Sequence, residues 1–128
     1  MKSLKKVRKE VDQLCDKLSN PIDEKIKDLV VGLRYHGIKT TASCQGHLDR
    51  GLSHPWVQVD HRSLHRLLRA VSRENRPNLL GGSENTNIWV FEPVAGDLRL
   101  IPKNKNLPLE YLQKQAVEFG IFLQKMER

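Results

Sequence analysis

A thiol, an amide, a glycine and an imidazole follow one another at Cys44-Gln45-Gly46-His47, directly after a β-type run through Ala42. Two residues separate the thiol from the imidazole, so both groups can turn toward one point. Such a pair suits metal ligation or nucleophilic chemistry. A structural zinc site takes four nitrogen or sulfur ligands and a catalytic one usually three, so His54, His61 or His65 would have to join Cys44 and His47. The chain carries no second Cys-x-x-Cys or Cys-x-x-His unit, and no metal is expected. A nucleophilic Cys44 needs its pKa lowered by a histidine, an arginine or a helix N-terminus. A small packed residue at the root of a loop explains it more simply. Gly46 permits a positive φ and close backbone approach to a ligand, as in phosphate-binding loops, and a plain tight turn uses the same freedom. The expectation is a ligand-binding loop in which Ser43, Cys44 and His47 share a pocket, with Thr41, Gln45, Gly46 and His54 around it.

The elements that must hold this loop follow from periodicity. Leu4, Val7, Val11, Leu14, Cys15 and Leu18 recur at steps of three and four, which predicts a first helix to about Leu18 with Cys15 packed on its apolar stripe. Asn20 is expected to cap a second helix that has Pro21 in its first turn and Asp23 and Glu24 favouring its dipole. Ile22, Ile26, Leu29, Val30 and Leu33 give that helix a wide apolar face, and Gly37 ends it. Ile38–Ala42 and Pro55–Val59 read as neighbouring strands, with residues 43–54 between them long enough to be functional. Asp60 then opens an expected third helix, carrying Arg62, Arg66, Arg69 and Arg73. Residues 88–92 and 98–101 form a predicted hairpin around Pro93–Asp97. A last helix carries Leu109, Leu112, Ala116, Phe119, Leu123 and Met126, slightly weakened by Gly120. The order ααββαββα predicts a single α+β domain over residues 1–128, its helices packed on a mostly antiparallel four-stranded sheet.

The net charge is +7 and the pI about 9.7. Residues 1–20, the expected basic N-terminal helix, carry six Lys/Arg against three acids, and residues 60–76 carry five arginines against two acids. Phosphate-bearing partners gain weight from this, a small nucleotide-like molecule or RNA, although ordinary solubility charge has the same signature. The arginines of the third helix are the candidate phosphate contacts, which orient a polyanion without reading its sequence. Trp56 and Trp89 could each stack on a base, and burial in the core is the alternative. No apolar run is long enough to span a membrane, no secretory pattern opens the chain, and the two cysteines suggest no disulfide framework. A cytoplasmic protein without a membrane partner is expected, and the oligomeric state is not legible.

The run from Pro21-Ile22-Asp23-Glu24 to Thr40-Thr41-Ala42-Ser43-Cys44-Gln45-Gly46-His47 resembles the opening of the wybutosine-pathway tRNA methyltransferase family. There an Asp-led helix precedes a Thr-Thr-Ser-Ser-Cys-Ser-Gly-Arg motif. Trp89-Val90-Phe91-Glu92-Pro93 is similar to that family's Phe-Glu-Pro strand end. The resemblance implies an α+β fold, S-adenosylmethionine as cofactor and a tRNA guanosine as methyl acceptor. It also implies that Ser43, Cys44, Gly46 and His47 line the loop with Glu92 nearby. His47 replaces the motif arginine and Gln45 the motif serine that follows the cysteine. The Ser-Cys-x-Gly-His pattern also resembles small bacterial and phage proteins of uncharacterised function, for which a non-enzymic, nucleotide-like binder is the implied alternative.

Overall fold

Residues 2–15, 20–63, 65 and 89–128 are described by a computed structural model. Ser3 caps α1 (Leu4–Asp12), its hydroxyl accepting the Lys6 amide, and Val7 and Val11 are the helix's buried positions. The helix ends a turn and a half earlier than its apolar stripe suggests. The amides of Gln13 and Leu14 donate to Glu10 and Val11 in tightened bonds, and Cys15 is exposed in an isolated bridge with Pro21 instead of packed. With Pro21 held in that bridge, α2 (Glu24–Tyr35) starts later than expected, with Asp23 and not Asn20 at its N-cap.

α2 is the centre of the molecule. It packs against α1, against α3 (Leu109–Lys125) and onto the sheet. Ile26, Leu29, Val30, Val31 and Leu33 are fully buried on it, as a wide apolar face between three neighbours requires. Its C-terminus closes as a Schellman motif, with the Gly37 amide on the Arg34 carbonyl and the Ile38 amide on the Leu33 carbonyl.

The sheet runs β1 (Thr40–Cys44), β2 (Trp56–Val59), β4 (Asp97–Pro102), β3 (Trp89–Val94), all antiparallel, so β1 and β3 are its edges. Val57 and Val59 stand opposite Leu100 and Leu98. This row meets the helices in a core that includes Trp89, with Phe119 of α3 at 5.7 Å between ring centroids. The hairpin is tighter than the sequence suggests. β3 continues through Pro93 and Val94, and only Ala95 and Gly96 turn, both at positive φ. Pro93 is tolerated because β3 is an edge strand, where a missing N–H need not break a ladder.

The architecture is the expected α+β arrangement of helices on a four-stranded antiparallel sheet. Of the arginine-rich third helix, the described part is a short 3-10 turn at His61–Ser63 with His65 beyond it. Arg66, Arg69 and Arg73 lie outside the described residues.

Candidate functional site

β1 carries the site to the N-terminus of α2. Ser43 and Cys44 are the strand's last residues, opposite Val57 and Trp56, and not members of the loop. A bulge between Thr40 and Ala42 shifts the register of this edge. Past the strand end, Gln45 ties three elements together. Its side-chain oxygen accepts the Lys25 amide of α2 (3.1 Å), its own amide donates to Asp23 Oδ2 (3.1 Å), and its carbonyl accepts Gln113 Nε2 of α3 (3.1 Å). Gln45 therefore caps α2 from outside, while Asp23 makes no cap bond with its side chain to its own helix. Gln45 is a positioning residue whose side-chain oxygen and main-chain groups bond within the protein.

This exchange turns Asp23 toward the thiol and the imidazole. One oxygen of Asp23, Cys44 Sγ and one ring nitrogen of His47 all lie within 4.8 Å of one another, with Asp23 Oδ2 at 3.9 Å from His47 Nε2. The Gly46 amide donates to Cys44 Sγ (3.4 Å), and the His47 amide donates to the Leu52 carbonyl. Burial pushes the Cys44 thiol up, the Gly46 N–H partly opposes it, and the Asp23 carboxylate adds to the rise. A thiol held in its protonated form is the reverse of what a cysteine nucleophile needs.

Ser43 faces another space. A cleft of about 910 Å3 runs along the free edge of β1 and over the N-terminus of α2, and Asp23, Arg34, Thr41, Ser43 and Arg50 are among its lining residues. Cys44 and His47 do not line it, so the three side chains expected in one pocket are divided, with Asp23 shared between cleft and thiol–imidazole cluster. Arg34 is bonded to Thr40 through its side-chain and main-chain oxygens (2.7 and 2.8 Å), and burial lowers its pKa. Arg50 is exposed and has no ion-pair partner among the described residues.

His54 does not join Cys44 and His47. It is 6% exposed, and its Nε2 is buried without a hydrogen-bond partner among the described residues. Its electrostatic neighbours are Lys105, Glu92 and Arg99. Glu92 stands opposite Arg99 on β3, three strand spacings (roughly 14 Å) from β1, and so belongs with His54 and not with the Cys44–His47 end. Arg99 lies over the Trp56 ring at 4.2 Å, while Trp89 is buried. Arg62 is committed to Asp60, whose carboxyl its hydrogen bonds hold well below the usual carboxylate range.

Burial holds the pKa of His54 below its ordinary 6.5, helped by Lys105 and Arg99 and opposed by Glu92. The unfolded chain takes up this proton near the ordinary value while the fold resists it, so stability should fall as pH drops below about 6.5. The loss levels off below the folded-state pKa. Urea midpoints at pH 7.5 and pH 5.5 check this, and His54→Gln should flatten the difference. An unchanged difference in the variant would assign the effect elsewhere.

Comparison of the chain with protein-family models, curated proteins and solved structures finds no match. Asp23, Arg34, Arg50 and Gln113 are the site residues that sequence reasoning missed. Asp23 was legible as a first-turn acid, but its orientation depends on Gln45, 22 positions away. The two arginines stand in no motif, and Gln113 was hidden in a helix pattern.

Proposed function

We propose that this protein binds a small nucleotide-like ligand in the cleft between the free edge of β1 and the N-terminus of α2. The cleft itself carries the reading: about 910 Å3 is the size of a pocket for a nucleoside-sized molecule, and its wall joins apolar Leu14, Pro21 and Ile22 to polar Asp23, Thr41 and Arg50. The apolar side would take a base. The Asp23 carboxylate and the Thr41 hydroxyl suit ribose hydroxyls, and the Arg50 guanidinium suits a phosphate or a carboxylate. S-adenosylmethionine, the cofactor implied by the resemblance, has the same three parts, so the methyltransferase reading uses this cleft for its donor and the basic charge for tRNA.

Thermal melts with ATP, AMP and S-adenosylmethionine, and labelled tRNA titrated at several salt concentrations, test the reading. One small molecule should raise the melting temperature saturably, by the equivalent of about 2.7 kcal/mol at a hundredfold excess over Kd, and Arg50→Ala and Thr41→Val should weaken it. Methyl transfer from labelled donor to tRNA would make the binder an enzyme. No shift with any small molecule, alongside tight tRNA binding that falls steeply with salt, would overturn the cleft reading in favour of an RNA surface.

A further inference from the structure

We propose that Asp23, Cys44 and His47 form a three-ligand site for zinc or a similar borderline-soft divalent cation. The inference goes beyond the cleft reading and does not depend on it. The donors come from three places, the N-cap of α2, the end of β1 and the following loop, and their ligand atoms already lie within 4.8 Å of one another. Tetrahedral zinc, with bonds of about 2.0–2.3 Å, separates its ligand atoms by roughly 3.3–3.7 Å. Asp23 Oδ2 and His47 Nε2 stand at 3.9 Å, so closure asks only small side-chain shifts.

Donor chemistry narrows the choice of cation. The bound cation would displace the Cys44 proton to solvent, and the resulting thiolate with an imidazole and a carboxylate suits zinc and not magnesium or calcium, which take oxygen. Three protein ligands leave a fourth position for water or substrate, the arrangement of catalytic rather than structural zinc.

Two further observations fit a site built for a cation. An aspartate at an N-cap ordinarily bonds its own helix, but Asp23 makes no such bond and Gln45 serves the Lys25 amide in its place. The carboxylate is thereby left to face Cys44 and His47. Asp23 Oδ2 accepts the Gln45 amide and Cys44 Sγ accepts the Gly46 amide, outer bonds of the kind that orient ligands around a metal. The other cluster of this kind among the described residues, Asp60, His61 and Asp97, differs. Asp60 is already clamped by Arg62, His61 is exposed, and no thiol is present.

The test uses the full chain stripped with a chelator and titrated with cobalt(II), then with zinc. About one equivalent should bind, producing a thiolate-to-cobalt charge-transfer band and strong visible absorption of tetrahedral cobalt, both erased by added zinc. Cys44→Ser should remove the charge-transfer band and His47→Ala should lower the stoichiometry to near zero. Cys15→Ser and His54→Ala should keep both. Circular dichroism of each variant separates lost ligation from lost fold. As a readout that needs no variant, zinc should protect Cys44 from alkylation while Cys15 stays reactive. Absence of a band in the wild-type chain, or a band that survives Cys44→Ser or vanishes in Cys15→Ser, overturns the site. Nucleotide melts run on the chelated protein score the cleft separately, so each proposal can fail without the other.

Discussion

Gly120→Ala is expected to destabilise the protein by about 3 kcal/mol or more, a large share of the roughly 5–15 kcal/mol that holds an ordinary domain folded. On an exposed helix the same change stabilises by up to about 1 kcal/mol, because alanine is the better helix former. Here α3 crosses α2 with backbone against backbone. A Cβ on Gly120 would run into the carbonyl of Asp28 and lie 2.5 Å from the Leu29 nitrogen. Main-chain atoms inside a helix have no rotamer to escape into, so the helices must part. The Asp28 carbonyl also accepts Gln124 Nε2 at 2.9 Å, and Arg8 reaches both Asp28 and Gln124, so parting disturbs all three helices. Gly32, whose Cβ would meet the Gly120 oxygen and Leu123 Cβ at 2.8 Å each, lies at the same crossing and should respond in the same direction. Urea unfolding of Gly120→Ala against wild type checks this. A midpoint that rises would show that the helices are not in contact there.

The faces that meet at this crossing were legible in the sequence, because Ile26, Leu29, Val30 and Leu33 on one helix and Leu112, Ala116, Phe119 and Leu123 on the other repeat at helical spacing. All are buried. Periodicity says which face is apolar and nothing of how closely two faces approach, so Gly120 read as a weak point when it is the contact. Pro93 misled for a related reason. Proline breaks a central ladder, and that β3 lies at an edge depends on the order β1-β2-β4-β3, which pairs strands far apart in sequence. The early end of α1 belongs to the same class, since the Cys15–Pro21 bridge is a contact and not a pattern.

The site divides likewise. Cys44 and His47 are neighbours in sequence and meet in space. Asp23 reaches them only because Gln45 takes over the helix cap, an exchange between elements that spacing does not encode. Sequence spacing points to His54, seven residues after His47, as a partner, and gives Asp23, 24 residues before His47, only a place in the first turn of a helix. The neighbours of His54 are instead Lys105, Glu92 and Arg99.

Gly46→Ala should cost about 3 kcal/mol and disorganise the thiol–imidazole cluster, whereas Gly51→Ala in the same loop should cost only about 1 kcal/mol. Both glycines have positive φ, +89° at Gly46 and +59° at Gly51, so both substitutions incur the strain of an L-residue in the left-handed region. Their surroundings differ. A Cβ at Gly51 meets nothing within 4 Å, but one at Gly46 would stand 2.8 Å from the His54 carbonyl carbon and 2.8 Å from Leu109 Cδ1. The leucine methyl can swing aside, and the His54 main chain cannot without moving the start of β2. Relief would come from shifting residues 45–47, which carry the Gly46 N–H off Cys44 Sγ and His47 away from Asp23. The two variants therefore separate strain from collision. Their difference in urea midpoint measures the collision, and slower alkylation of Cys44 in wild type and Gly51→Ala than in Gly46→Ala would locate its effect at the site. Equal losses of stability in both variants would mean that Gly46 serves only its turn, and that the packing of its loop against His54 is not what holds Cys44 and His47 together.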